Sequence, residues 1–98
     1  MYRAVILPPA AEDVKEAALW YNEKEKGLGK RFTKAVRDKV LIIRKNPDIY
    51  PIRYEDTRTA VLDVFPFMIH YSVEHEDKQV LIAAVFHTSR STDIWKSR

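Results

Sequence analysis

Polar and apolar side chains recur with two different periods along this chain, and the change of period falls near its middle. Apolar residues return every three or four positions from about Ala10 and again over 28–45, which predicts two amphipathic helices. Residues that interrupt or end helices bound these two segments: Pro8, Pro9, Gly27, Gly29, Asn46 and Pro47. Because the link at Gly27 is short, we expect the two helices to form an antiparallel pair.

After the second helix the period falls to two residues, the spacing of a strand with one buried face. Segments 57–64 and 67–73 alternate in this way, and Pro66 separates them. The nearly continuous apolar run 80–86 is typical of a central strand buried on both faces. With the short apolar segment 3–7 as a first strand, the order of elements is β-α-α-β-β-β. We predict an α+β fold of two layers, in which the helix hairpin packs on a small, mainly antiparallel sheet and the first strand pairs with the last.

Length and composition indicate one domain over residues 1–98. The chain is 46% hydrophobic and 32% charged, and it contains no cysteine, which excludes disulfides and thiolate metal sites. The apolar stretch from Ala4 to Leu7 is too short for a signal peptide, and no run approaches the roughly 18 apolar residues of a membrane helix. We therefore expect a soluble, cytoplasmic protein without membrane contact.

Positive charge is concentrated in the middle third of the chain, whose net charge as a whole is +3. Residues 28–58 hold nine basic and four acidic side chains, a net of +5, whereas 1–27 and 59–98 each hold four basic and five acidic ones, a net of −1. Such a patch suits a nucleic acid, a ribosome or an acidic partner peptide, and it equally suits a solvated helix face.

A series of short motifs follows this order of elements: Ala10-Ala11 with Asp13, Trp20-Tyr21, a glycine-rich helix reversal, Asn46-Pro47, Arg58 opening a strand, Phe65-Pro66-Phe67 with Ile69 and Tyr71, and His87-Thr88-Ser89-Arg90 followed by Trp95. The series resembles the RelE/ParE toxin superfamily in its plasmid-stabilisation branch. The resemblance covers about residues 2–95 and agrees with the predicted strand order. It implies a toxin of a type II toxin–antitoxin system, which inhibits growth and is neutralised by an antitoxin encoded beside it.

The resemblance leaves two targets open. ParE-like members poison DNA gyrase and cut nothing, whereas RelE-like members cut messenger RNA in the ribosomal A site. RelE-like ribonucleases often carry a dense lysine and arginine set around the second strand and a tyrosine near the end. Here 47–75 contains no lysine and 88–98 contains no tyrosine. The resemblance favours a ParE-like gyrase inhibitor, with a RelE-like endoribonuclease as the alternative, and whether the chain is an enzyme depends on this choice.

RNA cleavage without a metal needs a base, an acid and cations that stabilise the phosphate charge. The candidates are Arg58, His87 and Arg90, since arginine binds phosphate oxygens in pairs and histidine titrates near neutrality. We expect the three to line one groove on the sheet, with both guanidinium groups within about 8 Å of His87, roughly a Debye length. Each also has a structural interpretation, such as pairing of Arg58 with a neighbouring carboxylate or of Arg90 with Asp93.

The antitoxin is expected to bind the exposed edge of the small sheet or the groove of the helix hairpin, since both suit an extended or helical peptide. Trp20 and Tyr21 are consecutive, so a helix cannot bury both on one stripe, and one of them remains available to a partner. The second helix carries cations that would attract an acidic antitoxin segment: Lys30, Arg31, Lys34 and Arg37. The sequence does not decide between a monomer and a homodimer.

None of these motifs is typical of a metal-binding or cofactor-binding site. His70 and His75 are predicted to be ordinary surface residues, and no spacing of metal ligands is present. We therefore expect neither a metal nor another cofactor.

Overall fold

Two helices and five strands build an α+β fold in the computed structural model, which describes residues 1–90. The elements are β1 (Arg3–Ile6), α1 (Pro8–Lys24), α2 (Leu28–Lys45), β2 (Ile52–Tyr54), β3 (Thr57–Val61), β4 (Phe67–Glu74) and β5 (Gln79–His87). The strands form one sheet in the order β1-β5-β4-β3-β2, in which β1 runs parallel to β5 and the other pairs are antiparallel. The predicted fold class, the helix hairpin and the pairing of the first strand with the last are confirmed.

Two details differ from the sequence-based expectation. Helix α1 begins at Pro8 rather than near Ala10, because proline has a helical φ and the first turn needs no backbone donor. Strand β2 was not predicted. It has three residues and pairs with β3 in an irregular register, so it is too short to show an alternating pattern.

The core lies between the helix hairpin and one face of the sheet. Its buried side chains come from both helices, β3, the loop before β4, and the central strands β4 and β5: Ala10, Ala17, Phe32, Val36, Val40, Ile43, Ala60, Leu62, Phe65, Ile69, Tyr71, Val80, Ile82 and Val85. A smaller cluster on the other face of the sheet contains Met68, Ala84 and Phe86, with Tyr54 beside it. Strand β5 therefore contributes buried residues to both faces, as its continuous apolar run predicts.

The turn between the helices depends on two glycines. Gly27 has φ +88°, a left-handed conformation that glycine adopts without strain. Gly29 allows α1 and α2 to approach closely, because a Cβ atom there would collide with the carbonyl oxygen of Ala18. Its backbone N–H donates to Asn22 Oδ1 at 2.8 Å, so Asn22 supplies an acceptor for the first turn of α2.

Neither α1 nor α2, the helices of residues 1–90, combines the length and apolar character that a membrane-spanning helix requires. The single domain over 1–98 stays a prediction. Two residues that the sequence interpretation used, Asp93 and Trp95, lie outside the described residues.

Candidate functional site

Arg58, on β3, holds the segment that joins α2 to β2, residues 46–51. Its guanidinium donates to the carbonyl oxygen of Tyr50 at 2.6 Å and to that of Asp48 at 3.3 Å. It also forms an ion pair with the Asp48 carboxylate at 3.1 Å, and its side chain is only 17% exposed. The carboxylate partner of Arg58 is therefore Asp48, and the guanidinium is occupied in fixing the 46–51 segment.

Two further side chains hold the same segment. The Tyr71 hydroxyl is buried and donates to the carbonyl oxygen of Pro47 at 2.7 Å. Burial raises the pKa of the Tyr71 phenol to about 12, although the nearby Arg58 acts in the opposite direction. On the surface, His75 Nε2 lies 3.2 Å from both carboxylate oxygens of Asp48. Tyr71 is thus a neutral structural donor and does not line an open groove.

The raised pKa of Tyr71 leads to a stability prediction. Its phenol is neutral in the folded protein up to about pH 12 but ionises near pH 10 when unfolded, so its contribution is complete below pH 10 and is lost between pH 10 and about 12. At pH 7 we expect Tyr71→Phe to lower the free energy of unfolding by about 1–2 kcal/mol, because the Pro47 carbonyl loses its donor. Urea unfolding at a series of pH values should show this difference shrinking above pH 10. A difference that stays constant up to pH 11.5 would contradict the interpretation.

His87 and Arg90 lie together at the opposite end of the sheet. Both line a cleft of about 210 Å³ between α1 and β5, here named the α1–β5 cleft. Its other lining residues are Asp13, Glu16, Ala17, Trp20, Phe67 and Val85. The Asp13 carboxylate accepts the backbone N–H of Val85 at 3.0 Å and so ties α1 to this half of β5.

Hydrogen bonds fix the tautomer of His87. The backbone N–H of Ser89 donates to His87 Nδ1 at 3.0 Å, so Nδ1 is an acceptor and the ring proton of the neutral form lies on Nε2. In this form Nε2 is a donor, suited to stabilising an anion; acting as a base there would require the other tautomer. The Arg90 guanidinium lies over the Phe86 ring at 4.8 Å.

The expected single groove is wrong for Arg58. In the sheet register Arg58 is opposite Tyr71, and Tyr71 is opposite Ile82. His87 is opposite Phe67, which lies four residues from Tyr71 on β4, so His87 lies about 13 Å further along the strands. The meander aligns Arg58 with the middle of β5 and not with its end, whereas His87 and Arg90 share a cleft.

The residues predicted to meet the antitoxin have different environments. Tyr21 is half-buried and packs on Phe32 and Phe65, with ring centroids 5.3 and 5.0 Å apart. Trp20 is 53% exposed, and the Lys24 ammonium lies 4.9 Å from its ring. Of this consecutive pair, Trp20 is therefore the one available to a partner.

The four predicted cations of α2 are all exposed and line one broad concavity of about 700 Å³, here named the α1–α2 groove. Its lining residues are Ala18, Asn22, Gly27, Gly29, Lys30, Arg31, Thr33, Lys34 and Arg37. None of these carries a carboxylate. Of the four cations only Lys34 has an ion-pair partner within residues 1–90, Asp38 at 2.8 Å. The groove therefore presents uncompensated positive charge.

The prediction that His70 is a surface residue is wrong. It is fully buried on the face of the sheet away from the helices, and its Nδ1 lies 3.0 Å from the Tyr54 hydroxyl. Its ring packs against Phe86 at 5.1 Å. The alternation of β4 places His70 opposite the main core, and no local pattern reveals that this face is covered as well. Within the described part of the chain, no three acidic or histidine side chains converge as a metal site requires.

A comparison with protein families identifies the chain. A sequence profile described as "ParE toxin of type II toxin-antitoxin system, parDE" matches residues 4–92, which is 89 of the 98 positions. The chain belongs to the ParE toxin family. The RelE/ParE resemblance drawn from the motifs is thereby confirmed for this ParE-family toxin. A comparison with curated protein sequences gives no match.

Solved structures that share the fold of this ParE-family toxin carry both names of the superfamily. The chromosomal ParDE system of P. aeruginosa is 20% identical, with a TM-score of 0.65 over 89% of this chain and 96% of that one. The intact RelBE toxin–antitoxin complex of E. coli is 17% identical, with a TM-score of 0.71 over 92% and 100%. The RelBE2 toxin–antitoxin complex of Mycobacterium tuberculosis is 21% identical, with a TM-score of 0.65 over 88% and 96%. At these identities the likeness shows the fold and does not separate ParE-like from RelE-like targets.

Proposed function

We propose that this ParE-family toxin inhibits DNA gyrase as a binding protein and that a cognate antitoxin neutralises it. The separation of Arg58 from His87 supports this proposal most directly. A ribonuclease built on these residues needs its phosphate clamp and its acid or base around one phosphate group, within hydrogen-bond reach. Arg58 lies about 13 Å along the strands from His87 and is bound to Asp48 and Tyr50. It is suited to supporting the 46–51 segment, not to clamping a phosphate beside His87.

The α1–α2 groove supports an acidic antitoxin segment as its partner. The structural relatives from E. coli and M. tuberculosis are toxin–antitoxin complexes, and by analogy we assign this chain an antitoxin as well. Lys30, Arg31 and Arg37 form no ion pair within residues 1–90, so their charge is available to a partner. This surface would raise the association rate of an acidic segment and would fix the orientation in which the segment binds.

The exposed edge of β1 supports a second contact with the same antitoxin. As β1 lies at the end of the sheet, the outward backbone groups of this strand have no neighbouring strand within residues 1–90 to bond. Beside it lies an apolar groove of about 320 Å³, lined by Ile6, Ala11, Val14, Thr33, Val36, Arg37 and Val40. Ile6 is 51% exposed. An extended peptide is suited to this edge because it adds a strand by backbone hydrogen bonds and places alternate side chains in the groove.

Substitution of His87 distinguishes the binding role from RNA cleavage. We expect the purified toxin and His87→Ala to inhibit gyrase supercoiling at similar concentrations, because binding involves no proton transfer. Neither should cut messenger RNA on translating ribosomes. If His87 transfers a proton, its removal should lower a cleavage rate by roughly 10²–10⁴-fold. Ribosome-dependent cleavage by the wild type that disappears in His87→Ala would establish the ribonuclease instead.

One observation favours the alternative, a RelE-like endoribonuclease. His87 and Arg90 share the α1–β5 cleft with the carboxylate of Glu16, which brings a donor, a cation and a carboxylate together. In that case Arg58 supports the fold, and the cleavage chemistry is carried by His87 and Arg90.

Several consequences follow from either target. The protein would act in the cytoplasm, inhibit growth when the antitoxin is lost, and stabilise a plasmid that carries both genes. We propose that residues 1–98 act as one domain. Sedimentation of the free toxin distinguishes a monomer from a homodimer.

A further inference from the structure

The connection between β3 and β4 presents an apolar side chain on a strained backbone. Val64 has φ +74° and is 88% exposed. The backbone N–H of Phe65 donates to the carbonyl oxygen of Asp63 at 2.8 Å, which closes a γ-turn centred on Val64. With positive φ this turn is rare and strained, and it is especially unfavourable for a β-branched residue. Valine at this position therefore stabilises the fold neither by burial of its side chain nor by a favourable backbone conformation.

The tip that carries Val64 is rigidly supported. The N–H of Leu62 donates to the carbonyl oxygen of Phe67, and the N–H of Phe67 donates to that of Phe65, both at 2.8 Å. The Phe65 ring is buried against Tyr21 and Phe32, with centroids 5.0 and 5.3 Å away. Val64 therefore projects from the aromatic core on a short, fixed base. A side chain presented in this way loses little conformational entropy when a partner binds it.

A charged cleft adjoins Val64 and indicates the chemistry of its partner. The cleft, of about 250 Å³, lies between α2 and the loop and is lined by Arg31, Lys34, Ala35, Asp38, Asp63, Val64 and Phe65. Both carboxylates have lysine partners, Asp38 with Lys34 and Asp63 with Lys39. Arg31 has no ion-pair partner within residues 1–90. A partner protein that fits this surface would present an apolar pocket to Val64 and a carboxylate to Arg31.

This cleft is separate from the groove beside β1. That groove uses Thr33, Arg37 and Val40 of α2, whereas the cleft uses Arg31, Ala35 and Asp38. At about 100° per residue the two sets lie on opposite flanks of α2. A strand bound at the β1 edge would leave Val64 exposed.

We propose that residues 63–65, with Val64 as the apolar anchor and Arg31 beside it, form the surface that docks on the protein target, an acidic and partly apolar face of DNA gyrase. The proposal rests on the proposed function for the identity of that target. Strained backbone conformations are concentrated at functional sites, where the surrounding structure imposes them. For an exposed apolar side chain such as Val64, the function that fits is binding to a partner.

The central test compares two valines of the same hairpin. Val64→Thr keeps the shape and branching of the side chain but replaces a methyl group by a hydroxyl. Val61→Thr makes the same change on β3, where Val61 is 50% exposed. We expect Val64→Thr to raise the toxin concentration for half-inhibition of supercoiling at least about tenfold, and Val61→Thr to leave it unchanged. Both variants should keep the wild-type melting temperature and antitoxin affinity.

A glycine variant separates the contact from the fold. Glycine adopts a positive φ without strain, although it increases the entropy of the unfolded chain. We expect Val64→Gly to melt at the wild-type temperature or higher and still to lose inhibition at least tenfold. Lost inhibition together with a lower melting temperature in both Val64 variants would overturn the docking role.

Three further results would overturn the docking proposal. The first is inhibition of gyrase by the Val64 variants at the wild-type concentration, and the second is an equal loss of inhibition in Val61→Thr. The third is a loss of antitoxin affinity in Val64→Thr, which would assign the tip to the antitoxin.

If the wild type does not inhibit supercoiling, the proposed function fails, and growth inhibition by the same variants becomes the readout. Loss of toxicity in Val64→Thr but not in Val61→Thr then supports a docking tip for another protein, whereas retained toxicity in Val64→Thr, or a wild type that is not toxic, overturns it.

Discussion

Replacing Arg58 by alanine is expected to lower the free energy of unfolding by about 3 kcal/mol. The change removes hydrogen bonds to the carbonyl oxygens of Tyr50 and Asp48 and the ion pair with the Asp48 carboxylate. Hydrogen bonds from charged groups contribute about 1.5–3 kcal/mol each. The ion pair contributes less, because the Asp48 side chain is exposed to solvent. Urea unfolding at pH 7 measures the loss.

Arg31→Ala is the matched control for this experiment, because Arg31 is exposed and has no ion-pair partner within residues 1–90. It should change the free energy of unfolding by less than about 0.5 kcal/mol. Arg58→Lys should recover only part of the stability, since an ammonium group cannot reproduce the planar fork. Loss of RNA cleavage in Arg58→Ala with unchanged stability would instead return Arg58 to a catalytic role.

Reversing two charges on α2 should weaken antitoxin binding about 100-fold at low salt. Lys30→Glu and Arg37→Glu each remove an attraction to an acidic segment and add a repulsion, which corresponds to about tenfold per position. Both side chains line the α1–α2 groove and are exposed, so the stability of the free toxin should change little. Titration of the toxin with the antitoxin encoded beside it measures the affinity.

The dependence on salt provides a second readout. Wild-type affinity should fall as salt is added, because exposed charges are screened, and the double variant should show a smaller fall. Lys78→Glu on the β4–β5 turn is the charge control and should bind as the wild type does. Equal binding by the double variant and the wild type at low salt would remove α2 from the antitoxin interface.

The proposed antitoxin groove and the proposed docking tip at Val64 adjoin each other on the surface. Arg31 and Lys34 line both the α1–α2 groove and the cleft beside Val64. An acidic segment in the groove would therefore lie next to the proposed docking tip. On these proposals, we expect the antitoxin to neutralise the toxin by steric hindrance and by charge compensation at Arg31, without a change of shape in the toxin.

The sequence alone determined the features that depend on neighbours along the chain. The periods of three to four and of two residues predicted the helix pair and the antiparallel strands, and α2 runs over 28–45 as predicted. The concentration of positive charge in 28–58 and the ordered motifs are likewise properties of the chain itself, and they led to the family. These inferences succeeded because helix and strand periodicity is set by local geometry.

Only the tertiary structure decided which side chains meet. Arg58 and His87 are both strand residues with side chains suited to catalysis, but the register of β3, β4 and β5 sets them about 13 Å apart along the strands. Lys39, one of several cations on α2, is buried against Asp63 and Tyr50. Burial and long-range contacts depend on how the layers stack, and a single strand or helix carries no local signal of what lies above it.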